Sequence, residues 1–182
     1  RLLMFKSLWF CACCALWLSA MPAHAVTEAQ FMPALHVFLQ ATDGDDAAIE
    51  PAAEAFAALS QAEPGNAVLL AYRGAATAML AKTMWMPWKK MRQAEDGLAM
   101  LDKSLAMLAT GQPGLSPSGA ATTLEVQYVA ARTFLAVPTV MHRHEQGMRL
   151  LAQVQAHPQL AAAPTILRER VRQTAKQYGV GL

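Results

Sequence analysis

One short pattern recurs three times along the chain: a glutamate, one residue, a small residue, three residues, then a large apolar side chain. It reads Glu50-Pro51-Ala52 to Phe56, Glu95-Asp96-Gly97 to Leu101, and Glu145-Gln146-Gly147 to Leu151. Residues four apart share one face of a helix, one turn above the other. Each copy therefore marks a helix that admits a neighbour closely at the small residue and fills the space beside it with the large one. A second self-match lies between the copies: Leu70-Ala71-Tyr72-Arg73-Gly74-Ala75-Ala76-Thr77 aligns with Val126-Gln127-Tyr128-Val129-Ala130-Ala131-Arg132-Thr133, keeping the tyrosine, the small pair and the threonine. The chain reads as helix pairs, an A helix followed by a B helix, three times over.

Boundaries follow from capping and turn chemistry. Thr27-Glu28-Ala29-Gln30 has the form of a capping box, and Phe31, Leu35, Phe38 and Leu39 follow at helical spacing up to Ala41-Thr42-Asp43-Gly44. Asp45 or Asp46 caps a second helix through Ile49, Phe56 and Leu59, ended by Glu63-Pro64-Gly65-Asn66. A third helix begins near Ala67 and is expected to continue past Lys82. A fourth follows Trp85-Met86-Pro87-Trp88 and stops at Gly111-Gln112-Pro113-Gly114, and the loop to Ser118 reads as the best linker in the chain. Thr122 or Thr123 opens a fifth helix, His144 to Ala156 forms a sixth, and Ala163 to Tyr178 a seventh. Nowhere do apolar and polar residues alternate for long, so strands are not expected.

The small, large-apolar and proline spacing of Ala52, Phe56, Leu59 and Pro64, followed by Leu70 and Gly74, resembles the tetratricopeptide repeat (TPR) family. The likeness is close over residues 47–77 and loose from Thr27 to Ala156. It implies an all-α fold of about three TPR-like antiparallel helix pairs with a C-terminal capping helix, as a short α-solenoid or a right-handed superhelical bundle. The copies here stand 45 and then 50 residues apart, longer than the family's repeat, so residues are inserted within or between pairs. Arg73 and Thr77 also depart from the family pattern. The Trp-Pro-Trp-Lys-Lys stretch is similar to ones in exported TPR-like bacterial proteins, a likeness that implies no activity.

At the N-terminus Arg1 and Lys6 precede an uncharged apolar run, Ser7 to Met21, closed by Pro22-Ala23-His24-Ala25. A basic start, a short apolar stretch and an A-x-A ending are the marks of a secretory signal, so residues 1–25 are expected to be cleaved after Ala25, leaving residues 26–182 as one helical domain in the periplasm or outside the cell. A retained anchor is the alternative, although the run is short for a membrane span. A lipoprotein signal is a further one, since Cys11, Cys13 and Cys14 lie within the run.

Cleavage at that bond changes the chemistry of what remains. All three cysteines depart, excluding disulfides, thiolate catalysis and cysteine metal sites from the mature domain. Thirteen Lys and Arg then balance thirteen Asp and Glu, and without a basic excess nucleic acid is not an expected partner. The distribution is uneven: Val26 to Leu70 carries seven acids and no Lys or Arg, whereas Ala71 onward carries thirteen bases against six acids. Solvated helix faces explain this, and a basic surface for an acidic partner or anionic membrane is the sharper reading.

No motif predicts an enzyme, a cofactor or a metal. His142-Arg143-His144-Glu145 puts its imidazoles two apart, on different helix faces. His36 reads as an interhelix hydrogen-bond partner, Asp43-Gly44-Asp45-Asp46 as capping rather than a calcium loop, and Ser116 and Ser118 lack a nucleophile-elbow context. What remains is recognition. The inner faces of the A helices, around Val68, Ala71, Tyr72, Ala75 and Met79, are expected to cradle a protein or peptide of the cell envelope. The insertion Lys82 to Arg92 concentrates Trp85, Trp88, Lys89 and Lys90, and reads either as a corner plugged by tryptophan, as a partner hot spot, or as a peripheral membrane contact. Tyr72, Met79, Trp85, Trp88, Lys89 and Lys90 are thus the candidate partner-binding residues, with an apolar small ligand or a membrane surface as the alternative to a peptide; the oligomeric state is left open.

Overall fold

The computed structural model describes residues 25–112 and 114–181. The apolar run Ser7 to Met21, its three cysteines and Pro113 lie outside the described residues. Those described form seven α-helices and no strand: α1 (Glu28–Thr42), α2 (Ile49–Ala62), α3 (Ala67–Met79), α4 (Pro87–Met107), α5 (Thr122–Ala136), α6 (His144–Gln155) and α7 (Thr165–Tyr178). None is long and apolar enough to cross a membrane.

Local chemistry sets the boundaries. The Gln30 side chain accepts the Thr27 amide, closing the capping box of α1. Pro33 sits in its second turn, where it forgoes the bond to the Ala29 carbonyl without ending the helix. Asp45 accepts the Ala47 amide at 3.0 Å ahead of α2, and Asn66 accepts Val68 N and Leu69 N at the start of α3. Helix α3 does not run past Lys82 as expected: it ends at Met79 and tightens into a 3-10 turn, Leu80–Thr83, before extended Met84. Pro87 then occupies the first turn of α4, where proline is tolerated.

Packing follows the recurring small residues. A methyl on Gly97 would meet Ala78 N and Gly74 O at 2.5 Å, and one on Gly74 would meet Gly97 O at 2.8 Å, so α3 and α4 cross backbone to backbone. A methyl on Gly147 would meet Leu135 Cγ at 2.8 Å and Ala131 O at 3.1 Å, placing α6 close against α5, chiefly over the Leu135 side chain. Ala52 is fully buried, as are Phe56, Leu101 and Leu151, the large members of the three copies. Helices α3 and α5 are buried on nearly every face and pack on each other, with α2 and α4 flanking α3, and α6 and α7 beside α5. Phe31 and Phe38 from α1 meet Phe56 from α2 and Tyr72 from α3 edge to face, and Phe56 stacks on Tyr72 at 4.8 Å.

The loop read as a linker is instead folded onto the core. Its Ser116 is buried and donates its amide to Ala120 O, Leu115 forms an antiparallel bridge with Ala121 just beyond the loop, and Gln112 accepts the first amide of α3 at 3.0 Å. Buried Ser116 also pairs its hydroxyl with Ser118, which helps a Gly/Pro/Ser-rich stretch to pack here. Helix α7 reaches back across the chain, and Arg170 grips the carboxylate of Asp43 at the end of α1. Arg132 of α5 donates to Thr42 O and lies 4.0 Å from the same carboxylate. The acidic N-terminal and basic C-terminal segments therefore touch at this point.

Candidate functional site

The inner faces of α1, α3 and α5 enclose an apolar groove of about 130 Å³. Phe38 and Leu39 form one wall, Tyr72, Ala75 and Met79 the floor from α3, and Tyr128 and Val129 the facing wall from α5. Lys82 and Arg132 stand at its rim. The volume resembles that of a cavity able to hold one benzene ring, so it accommodates a single apolar side chain rather than a long ligand.

Of the expected α3 residues, Tyr72, Ala75 and Met79 line the groove, whereas Val68 and Ala71 do not. Both are at most 1% exposed and pack in the core, because α3 is covered on its opposite face as well. Tyr72 is itself 5% exposed and offers the groove only part of its ring. Trp85, Trp88, Lys89 and Lys90 are absent from this wall; Lys82 is the residue of the insertion that reaches it.

The tryptophans do not plug the corner. Trp85 is 83% and Trp88 67% exposed, with Met91 half-open beside Lys89, Lys90 and Arg92. The crossing geometry explains this. Helix α4 meets α3 at Gly97 and keeps contact with it through buried Ala94 and through Gln93, which donates to Thr77 O at 3.3 Å, so its first turn from Pro87, which carries Trp88, is the part that lies beyond this contact. Among the described residues, Lys82, Lys89, Lys90 and Arg92 make no ion pair.

Beneath the groove lies a feature that the sequence reading missed. Glu125, in the first turn of α5, is 2% exposed and turns inward. Tyr72 donates its hydroxyl to Oε1 at 2.8 Å, and Ser118 donates to Oε2 at 2.7 Å while sharing a hydrogen bond with Ser116. Burial raises the Glu125 carboxyl above the usual range, against the opposing pull of the hydroxyls of Ser116, Ser118 and Tyr72. Burial also raises Tyr72, with the neighbouring carboxylate adding to it. The one available signal was the apolar neighbours Leu124 and Val126, which place position 125 between buried residues. Tyr128, the counterpart of Tyr72 in the self-match, reaches Thr174 of α7 at 3.1 Å.

The other polar candidates are structural. Arg143 binds Asp102 through two hydrogen bonds at 2.7 and 3.0 Å and stacks on Phe134, tying α6 to α4. His142 takes a left-handed conformation at φ 54° in the loop, and His144 faces Tyr178. His36 is exposed rather than bridging helices. Among the described residues no three His, Cys, Asp or Glu side chains converge as metal ligands. In comparisons with protein families, with characterised proteins and with solved structures, no match to this chain was found.

Proposed function

We propose that this protein is an exported, non-enzymatic adaptor built of TPR-like helix pairs, which holds a peptide segment of a cell-envelope protein in the groove between α1, α3 and α5. The observation that carries the reading is the groove itself: an apolar slot sized for one side chain, with two cations at its rim. In this reading α1 with α2, α3 with α4 and α5 with α6 are the three pairs, and α7 closes the end. A peptide that inserts a leucine, methionine or phenylalanine gains about 1.5–3 kcal/mol from that burial. A carboxylate near the anchor meets Arg132 and Lys82.

Peptides selected from a displayed library against the full protein test this. Selected sequences are expected to share one large apolar residue next to an acid. Ala136 is exposed and lines the groove, so Ala136→Trp fills it from the rim without entering the core. That change should weaken binding about tenfold or more, the loss of one buried anchor. Unchanged affinity in Ala136→Trp would remove the groove from the proposal.

A second reading has its own support in the overhanging start of α4, where Trp85 and Trp88 stand in solvent among unpaired cations. Such a tip suits the headgroup layer of an anionic bilayer. Flotation with phosphatidylglycerol vesicles at low salt tests it: loss of binding in the Trp85→Ala, Trp88→Ala pair supports the tip as a membrane contact, and absence of wild-type binding rejects it.

A further inference from the structure

The backbone nitrogen of Val26 donates to Glu63 Oε2 at 2.8 Å. This contact joins residues 37 apart in sequence and lies two residues ahead of α1. Ala25 is exposed, whereas the Val26 side chain is 7% exposed and belongs to the main core. Val26 is also the residue that would become the N-terminus if the chain is processed after Ala25. We propose that Glu63 is a receptor for the α-ammonium of Val26, so that removal of the signal creates the ion pair that locks α1 to the turn between α2 and α3. The proposal rests on the export reading above.

The chemistry of the change is simple. Hydrolysis of the Ala25–Val26 bond by the export protease adds the hydroxyl of water to the Ala25 carbonyl carbon and a proton to the Val26 nitrogen. The freed amine takes a further proton from solvent, and a neutral amide becomes a cation at the same place. A neutral N–H facing a carboxylate is then replaced by a charge-assisted pair, the stronger kind of hydrogen bond.

Three surroundings favour a positive charge there. Glu63 is the C-cap of α2, so the nitrogen lies at the negative end of that helix's dipole. The second oxygen of Glu63 accepts Asn66 Nδ2 at 3.2 Å, and Asn66 in turn caps α3, which holds the carboxylate in position. Finally, Val26 to Leu70 has seven acids and no Lys or Arg, and among the described residues no side-chain cation pairs with Glu63. The carboxylate is thus left for a cation that the sequence does not encode and processing supplies. An ammonium two residues ahead of α1 would otherwise oppose the positive end of that helix, and Glu63 offsets it.

The full chain, wild type and Glu63→Gln, is exported from a bacterial host and purified after processing. Intact mass reads the bond that was cut, and competitive acetylation at neutral pH reads the reactivity of the terminal amine, since only its unprotonated form reacts. A product beginning at Val26 is expected, with its amine acetylated about tenfold more slowly in the wild type than in Glu63→Gln, because a carboxylate at hydrogen-bond distance shifts such a group by about one pH unit or more. The same slowing is expected in folded against urea-unfolded wild type, a comparison that needs no variant. Equal rates with the terminus at Val26 would overturn the receptor while leaving export intact. A product starting elsewhere would place the ammonium away from Glu63 and overturn it through the processing site instead.

Discussion

Replacing Gly97 by alanine adds a single methyl at the point where α3 and α4 come closest. The methyl would lie 2.5 Å from both Gly74 O and Ala78 N and 2.8 Å from Ala78 Cβ, all of them atoms that move only with the helix carrying them. Overpacking of this kind costs about 1–3 kcal/mol, and the upper end applies because α3 is enclosed and has nowhere to shift. Against this, alanine gains about 1 kcal/mol over glycine in helix propensity. The net expectation is a loss of about 2 kcal/mol, or a fall of roughly 4–8 °C in Tm for a chain of this size. Two further glycines calibrate the result. A methyl on Gly147 meets chiefly the Leu135 side chain, which can yield, so its loss should be smaller. One on Gly65 meets nothing within 4 Å, and that substitution should leave stability unchanged or raise it slightly. Urea melts of the three variants give the ranking. If Gly97→Ala is as stable as the wild type, or ranks with Gly65→Ala, backbone contact at the crossing is not what the small residue provides.

Glu125 supplies a pH-dependent counterpart. Its carboxyl titrates above the ordinary range in the folded state, so its contribution to stability is fully present below the unfolded value and is lost as pH rises through the folded one. Glu125→Gln keeps an acceptor for Tyr72 and Ser118 but has no charge to bury, so its stability relative to the wild type should increase between pH 4 and pH 8; a constant difference in urea melts at the two pH values would contradict this. Asp43 behaves in the opposite sense: the hydrogen bond from Arg170 lowers its carboxyl, and its contribution is present above the unfolded value and lost as pH falls through the folded one. Because the Asp43 side chain is half exposed, Asp43→Asn should cost about 1 kcal/mol or less at neutral pH and nothing in strong acid, read from the same melts.

The sequence carried those features that are local or periodic. The capping box at Thr27 and the turn at Glu63 to Asn66 can each be read from a few neighbouring residues, whereas α4 begins at Pro87, ahead of the expected start after Trp88, and α3 ends at Met79 instead of running past Lys82. The close contacts at Gly97 and Gly147 were legible too, because the same small-and-large spacing occurs more than once. Trp85 and Trp88 were not. Their exposure depends on how far α4 extends beyond its crossing with α3, which is set by the pairing register and not by any residue near the tryptophans. Glu125 was hidden for a similar reason: a carboxylate in the first turn of a helix ordinarily faces solvent, and only the approach of Tyr72 and the folded-in loop at Ser116 and Ser118 gives it partners. Arg170 and Asp43 meet across 127 residues, beyond the reach of any local pattern.

The groove and the tip of α4 carry methionines at separate places, and this allows one direct measurement. Met79 lines the groove, whereas Met91 lies on the exposed tip beside Trp88. Methyl NMR of the 13C-methionine protein, titrated with a selected peptide bearing one large apolar residue next to an acid, reports on both at once. The groove account predicts that the Met79 methyl moves on saturation while Met91 stays in place, and that Ala136→Trp abolishes the change; movement of Met91 with Met79 unaffected would contradict it.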